Sequence, residues 1–281
     1  MSQTEQLTPD DLDAYFRRIG WTGERRADAA TLRGVHLAHI RAIPFENLDP
    51  VRGEVPSLAP ADLIGKLVRS RRGGYCYEHN TLLAGVLEAL GFRVTRLAAR
   101  VVVGAERVED RPRTHMALIV EVPGDPRRHL VDVGFGAAGA LLEPIPLTPD
   151  TAFDGAGRRH RLVHAPHHGP LKLWVLEQHT AGSWQPQYAF TLEPFERPDF
   201  EVINWHIATN PRSPFSALPY AQRVTPDRHI LLHGTRLTET RADGTTTERD
   251  LTDEDDARRV LEEQFDIAVP EGTPWKQMFR R

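Results

Sequence analysis

Cysteine is the rarest residue of this chain, with one copy in 281 residues. That excludes an intrachain disulfide, so burial must hold the fold, and it fits a reducing compartment. No apolar run approaches the roughly 18–20 residues of a membrane-spanning helix. The polar, acidic start MSQTEQLTPDDL has no signal-peptide core. A cytoplasmic protein with no membrane partner is expected. Neither sign of charge dominates: 35 basic and 39 acidic residues leave a net charge of -4, which gives no basis for a nucleic-acid partner. Glycine-rich phosphate loops of the Walker or dinucleotide type are missing, and so are internal repeats. Histidine is plentiful. Yet His160, His164, His167 and His168 sit among Pro and Gly without Cys or Glu at ligand spacing, so they read as a solvated loop and no metal is expected. With 40% hydrophobic and 26% charged residues, the chain is of ordinary globular composition, long enough for one large domain or two to three smaller ones.

The lone cysteine, Cys76, stands in Arg72-Gly73-Gly74-Tyr75-Cys76-Tyr77-Glu78-His79-Asn80. The two glycines are read as a tight turn at positive φ, where a Cβ would clash. After them Leu82, Leu83, Val86, Leu87 and Leu90 recur at helical spacing, and Gly91 supplies a stop. Cys76 is therefore expected at a helix N-terminus, where unpaired amides and the helix dipole favour negative charge. A lone cysteine is ordinarily a small buried hydrophobe. Its setting makes this one a candidate nucleophile.

A thiol nucleophile needs a base. Thr114 to Val122 reads as a strand, Pro123-Gly124-Asp125-Pro126 as a turn, and Arg127 to Gly136 as a returning strand. An even-numbered loop sets Val122 opposite Arg127, Ala117 opposite Asp132 and His115 opposite Gly134. Side chains alternate with period two, so His115 and Asp132 share a face as diagonal neighbours, about 7–8 Å apart at Cα. A slip of one residue would separate them. Singly, they read as a strand histidine and a turn aspartate. With Cys76 they form a nucleophile, base and orienter set, in which His115 withdraws the thiol proton and Asp132 fixes its tautomer.

The first ninety or so residues read as helical. Thr8-Pro9 caps a helix carrying Leu12, Tyr15, Phe16 and Ile19, and Gly20 ends it. A second helix runs from about Ala27 to Ala42, a third begins near Pro60, and the Cys76 helix is the fourth. Strands follow at Arg93 to Val103, Thr114 to Val122, Arg127 to Gly136, Leu171 to Glu177 and Trp184 to Leu192, while Leu147 to Pro170 reads as a long loop. After about Asp199, strands at Arg228 to Leu237 and Thr245 to Leu251 precede a helix capped by Thr252-Asp253-Glu254-Asp255. Helices, then strands, then a mixed segment argue for α+β with three subdomains, at 1-90, 91-198 and 199-281. Nucleophile and base fall on different subdomains, which makes a cleft between them the expected site.

These residues resemble the arylamine N-acetyltransferase family. Its nucleophile motif is matched by Arg72 to Glu78, its histidine segment by Arg113-Thr114-His115, and its aspartate segment by Asp132-Val133-Gly134-Phe135-Gly136. Arg18-Ile19-Gly20, Pro44-Phe45-Glu46-Asn47 and Thr209 to Phe215 match further segments in order. The resemblance implies an N-terminal helical bundle, a central β-barrel and a C-terminal α/β lid, with a cysteine-protease-like triad of Cys76, His115 and Asp132. It implies a two-step transfer: Cys76 takes acetyl from acetyl-CoA, a co-substrate rather than a resident cofactor, and an arylamine, arylhydroxylamine or hydrazine accepts it. CoA contacts are implied at Thr114, Gly134, Phe135, Gly136, Arg212 and Ser213, and an acceptor contact at Phe45. Glu46 and Arg72 are expected to pair and brace the cysteine loop. Two departures bear on the CoA site and lid: Ala208 stands where the family often has Ser, and Asp266 where Gly is common.

Two other readings use the same three residues. An amide synthase would close a macrolactam from a carrier-bound acyl chain. A thiol hydrolase or transglutaminase-like enzyme would resolve the acyl-enzyme with water or a protein amine. Whether the chain is a monomer or a homo-oligomer is left open.

Overall fold

Thr8 starts the first helix, α1 (Pro9–Ile19): its hydroxyl accepts from Asp11 N at 3.2 Å, and the Asp11 carboxylate accepts from Thr8 N at 3.1 Å. Gly20, at φ 67°, ends it in the left-handed conformation that glycine tolerates best. The computed structural model describes residues 7–225, 227–241 and 243–279. Next come α2 (Ala29–Ala42), a short strand β1 (Phe45–Glu46), α3 (Leu48–Val51), α4 (Pro60–Leu63) widening into a π-helical turn over Ile64–Arg69, and α5 (Cys76–Ala89). Tyr15, Phe16, Val35, Leu67, Leu83 and Leu87 form their common core.

Eight antiparallel strands follow: β2 (Arg93–Val101), β3 (Arg113–Glu121), β4 (Arg128–Val131), β5 (Ile145–Pro146), β6 (Ala152–Gly155), β7 (Arg158–Ala165), β8 (Leu173–Thr180) and β9 (Ser183–Phe190). Their order is β5-β4-β3-β2-β9-β8-β7-β6, and a bridge between Pro149 and Leu162 brings the two ends together, giving a nearly closed barrel. Alternation along the strands divides the packing. Leu97, Ala99, Ala117 and Ile119 fill the barrel with Leu176 and Tyr188, while Ala98, Met116 and Leu118 join the helical core. Across β3 and β4, Leu118 faces Val131 and Val120 faces His129. This is the register expected from the even-numbered turn.

Helices α6 (Arg197–Thr209) and α7 (Pro214–Ala217) lead to a second sheet of β10 (Tyr220–Val224), β11 (Arg228–His233), β12 (Arg236–Arg241) and β13 (Thr246–Asp250), covered by α8 (Glu254–Glu263). The early strand β1 pairs with β10, so Phe45 lies opposite Gln222. No helix among the described residues is long and apolar enough to cross a membrane.

The sequence misled in four places. Leu147 to Pro170 is not a loop but holds β6 and β7, turned at Ala156-Gly157 with φ of 47° and 84°. His160 and His164 are therefore strand residues: His160 is buried, while His164 stays exposed with its ring tilted against Trp174, 4.1 Å between centroids. Arg228 to Leu237 is two strands turned at Gly234, whose φ is 61°. The strand expected to reach Gly136 stops at Val131, because Asp132 to Gly136 turns its hydrogen bonds to α5 and to side chains instead of a ladder. Helix α6 and strand β10 were not anticipated.

Candidate active site

Tyr75 is extended, with φ -104° and ψ -171°, and Glu78 accepts from its N–H at 3.0 Å, so α5 begins at Cys76. The glycines before it do not serve the expected purpose. Neither Gly73 nor Gly74 has positive φ. A Cβ on Gly73 would overlap the Pro44 carbonyl oxygen, and one on Gly74 would lie 2.6 Å from the Glu78 carboxylate. Their role is close approach.

The loop is clamped by charge. Arg72 donates to Glu46 at 2.7 Å, the expected pair, and also to Asp49 at 2.6 Å. Lys66 bridges Asp49 and Glu78, each at 2.6 Å. Burial disfavours the Lys66 charge, but the surrounding carboxylates, Glu78 foremost, raise its pKa well above the ordinary range. Glu46 also accepts from the backbone N–H groups of Leu48 and Gly73. Every charge has a partner, as buried charges require.

His115 Nε2 donates to Asp132 Oδ2 at 2.7 Å, with both residues buried. Cys76 is close enough to favour the charged imidazole as well. Burial opposes a charged imidazole here, yet Asp132 and Cys76 together outweigh it and push His115 up to about 10. Burial likewise opposes charge on Asp132, but His115, Asn80 and Gly134 N hold its carboxyl below the usual range. The imidazole is also held by an edge-to-face contact with Phe135 at 5.2 Å and a tilted one with Tyr188 at 4.9 Å between ring centroids.

Two residues without an expected role complete this arrangement. Asn80, one turn along α5 from Cys76, donates to Asp132 Oδ1 at 2.9 Å and to Met116 O at 2.7 Å, and accepts from Val133 N at 3.1 Å. His36 on α2 accepts from Asp132 N at 3.3 Å while its Nδ1 donates to Leu142 O at 3.1 Å. The four-residue spacing of Cys76 and Asn80 was the available signal for Asn80. None marked His36.

The remaining candidates divide into two groups. The Thr114 carbonyl accepts from Tyr77 Oη at 2.6 Å and lies 3.9 Å from Cys76 Sγ. A Cβ on Gly134 would be 2.7 Å from Cys76 Cα, and one on Gly136 would be 2.6 Å from the Phe45 ring. Phe45 stands 5.7 Å from both Phe215 and Tyr220, and the Tyr220 hydroxyl donates to Gly136 O at 2.5 Å. Thr114, Gly134, Phe135, Gly136 and Phe45 thus gather around Cys76, His115 and Asp132. Ser213 and Arg212 stand differently: the Ser213 hydroxyl caps α7 by accepting from Phe215 N at 3.2 Å, and Arg212 is exposed. A cavity of about 610 Å³ lies behind α5, lined by Leu63, Leu82 and Phe200, but none of the three central residues lines it.

Helices packed on a nearly closed eight-stranded barrel define the class, and a family model described as N-acetyltransferase matches residues 28–273. An arylamine N-acetyltransferase of Mycolicibacterium smegmatis is 45% identical over 232 residues, 81% of each chain. One from Mycobacterium tuberculosis (strain ATCC 25618 / H37Rv) is 39% identical over 92% of this chain and 90% of its own. The crystal structure of the Nocardia farcinica arylamine N-acetyltransferase superposes with a TM-score of 0.89 at 41% identity, covering 100% of this chain and 99% of that one. A Mycobacterium marinum arylamine N-acetyltransferase in complex with CoA gives 0.86 at 36% identity, over 95% of this chain and 96% of that one. The chain belongs to the arylamine N-acetyltransferase family.

Proposed function

We propose that this chain moves an acetyl group from acetyl-CoA to an arylamine, arylhydroxylamine or hydrazine through an acetyl-Cys76 intermediate. The observation that carries the mechanism is the buried His115–Asp132 pair, bonded at 2.7 Å, with the Asp132 to Gly136 turn packed directly on Cys76 at the start of α5. The sulfur, its proton held on His115, attacks the thioester carbonyl. A carbon–sulfur bond forms to Cys76, the bond to the CoA sulfur breaks, and the leaving thiolate takes the proton from His115. The acceptor nitrogen then attacks the acetyl carbon, His115 receives the amine proton, and Cys76 is released. Asp132 keeps the imidazole oriented throughout, itself held by Asn80 and Gly134 N. The first N–H groups of α5 have no partner within the helix, which suits them to the tetrahedral oxyanion.

In this reading residues 1–90 supply the nucleophile, 91–198 the base and orienter, and 199–281 a lid. Thr114 and the Gly134-Phe135-Gly136 turn border the path of CoA, Phe45 lines the acceptor pocket with Phe215 and Tyr220, and Arg212 and Ser213 lie at the lid edge. Intact-mass spectrometry tests the scheme. Acetyl-CoA should add one acetyl group to the wild type and none to Cys76→Ala, and an arylamine should then discharge it. A folded wild type that forms no adduct would overturn the proposal.

A further inference from the structure

Tyr77 follows the nucleophile on α5 and takes no part in the acetyl-transfer steps. Its side chain is fully buried, edge-to-face with Tyr75 at 5.3 Å and tilted against Phe200 at 6.2 Å between ring centroids. From that packing its hydroxyl donates to the Thr114 carbonyl oxygen at 2.6 Å. Cys76 Sγ lies 3.9 Å from the same oxygen, so two neighbouring side chains of α5 meet one carbonyl. The barrel strand is shaped to present it. Across β2 and β3, Ala99 faces His115 and Arg100 faces Arg113, which leaves Thr114 as the extra residue of a β-bulge, without a partner in the ladder. A bulge re-aims the chain locally and is common beside active sites. Here it lies directly before the imidazole that Asp132 holds.

The charge on that oxygen bears on the sulfur. A thiol can donate to a carbonyl, whereas a thiolate cannot, and the negative end of a bare carbonyl dipole repels it. The Thr114 oxygen therefore competes with His115 for the Cys76 proton. A hydroxyl already donating to it draws off negative charge, which weakens its hold on a second donor. Burial first, and then Cys76, raise the Tyr77 hydroxyl well above its ordinary pKa, so it keeps its proton and remains a donor. We propose that Tyr77 is a positioning residue: it occupies the Thr114 carbonyl and so directs the Cys76 proton to His115. This rests on the reading of Cys76 as nucleophile and His115 as its base.

Alkylation of Cys76 by iodoacetamide tests it, because the reagent consumes thiolate and needs no acetyl donor. At about pH 6.5 the rate for Tyr77→Phe should fall about tenfold below wild type, the effect of losing one hydrogen bond that favours a charged group. At about pH 9.5 the two should agree within about twofold, since bulk base then takes the proton wherever it sits. Single-turnover acetylation by acetyl-CoA should be lost and regained in the same way, and the regain requires a folded site. His115, Asp132, Tyr75, Glu78 and Lys66, the other titratable groups around Cys76 and its loop, are left in place by this change. Tyr75→Phe is the control for a lost buried hydroxyl. That hydroxyl donates to Asn204 rather than Thr114, so its removal should alter alkylation by one factor at both pH values or not at all. A Tyr77→Phe protein slowed equally at both pH values, alkylated like wild type at both, or unable to regain acetylation overturns the proposal. Wild-type Cys76 that reacts no faster than free cysteine at the lower pH would instead sink the nucleophile reading beneath it.

Discussion

At the scale of single residues, the central question is what keeps His115 charged and correctly turned. Its ring packs in one cluster with Phe135 and Tyr188, which limits its room to rotate, and Asp132 takes Nε2. An amide in place of that carboxylate would keep the shape but present a donor or a neutral acceptor. Asp132→Asn is therefore expected to fold with a near wild-type melting profile while kcat falls by on the order of 10³–10⁴, as when a triad carboxylate is neutralised elsewhere. Single-turnover acetylation by acetyl-CoA checks this. A variant acetylated at wild-type rate would show that Asp132 has no orienting role.

At the scale of elements, the three parts meet because glycine lets backbones touch. The Asp132 to Gly136 turn lies directly on the first turn of α5, and Gly134 is the contact point. Gly134→Ala would set a methyl 2.7 Å from Cys76 Cα and 3.0 Å from Cys76 O, both backbone atoms that cannot swing aside. The turn must then lift away, carrying Asp132 from His115. Destabilisation of about 1–3 kcal/mol is expected, with a loss of acetylation rate larger than the stability change alone accounts for. Gly65→Ala is the control. It sits in the π-helical turn with nothing within 4 Å of a new Cβ, so it should be neutral or stabilising by up to about 1 kcal/mol. Denaturant melts paired with acetylation rates separate the two, and equal behaviour would refute the close-approach account.

At the scale of the whole molecule, buried neutral histidines tie stability to pH. The Pro44 carbonyl can only accept, so His79 Nε2 donates to it, at 3.1 Å. His79 Nδ1 must then accept from His39 Nε2 at 2.9 Å, and His39 Nδ1 from the Tyr15 hydroxyl at 2.8 Å. The chain has no place for another proton. Burial lowers His36, His79, His160 and His229 to about 4 and His39 well below its ordinary value. The unfolded chain protonates these groups near 6.5 while the folded one does not, so their contribution is present above about 6.5 and lost as pH falls toward 4. His115, raised to about 10, acts oppositely: its contribution is complete below about 6.5 and lost as pH rises toward 10. Glu78, which burial pushes up to about 7, also opposes the acid loss, but it is one group against five. Tm is expected to fall by on the order of 5–10 °C between pH 7 and pH 4.5. Calorimetry across that range decides it, and a flat Tm would contradict the neutral histidine chain.

Local pattern was enough to locate much of this protein. Helical periodicity and the Thr8 cap placed α1, α2 and α5, and the even-numbered turn set the register that puts His115 beside Asp132. These depend on neighbours in the chain, and such interactions leave a period in the sequence. Strands β6 and β7 hid behind their Arg, His and Gly because only the barrel decides which polar side chains turn inward. Asn80 was visible as a helix neighbour of Cys76, but its bonds to Asp132 and Val133 bridge about fifty residues. His36 and the pairing of β1 with β10 also join distant segments, and composition carries no trace of them. The sequence by itself determined the strand register and singled out the candidate reactive groups, since covalent order and side-chain period dictate both. Only the tertiary structure decided what surrounds them, because burial and hydrogen-bond partners arise where separate segments pack.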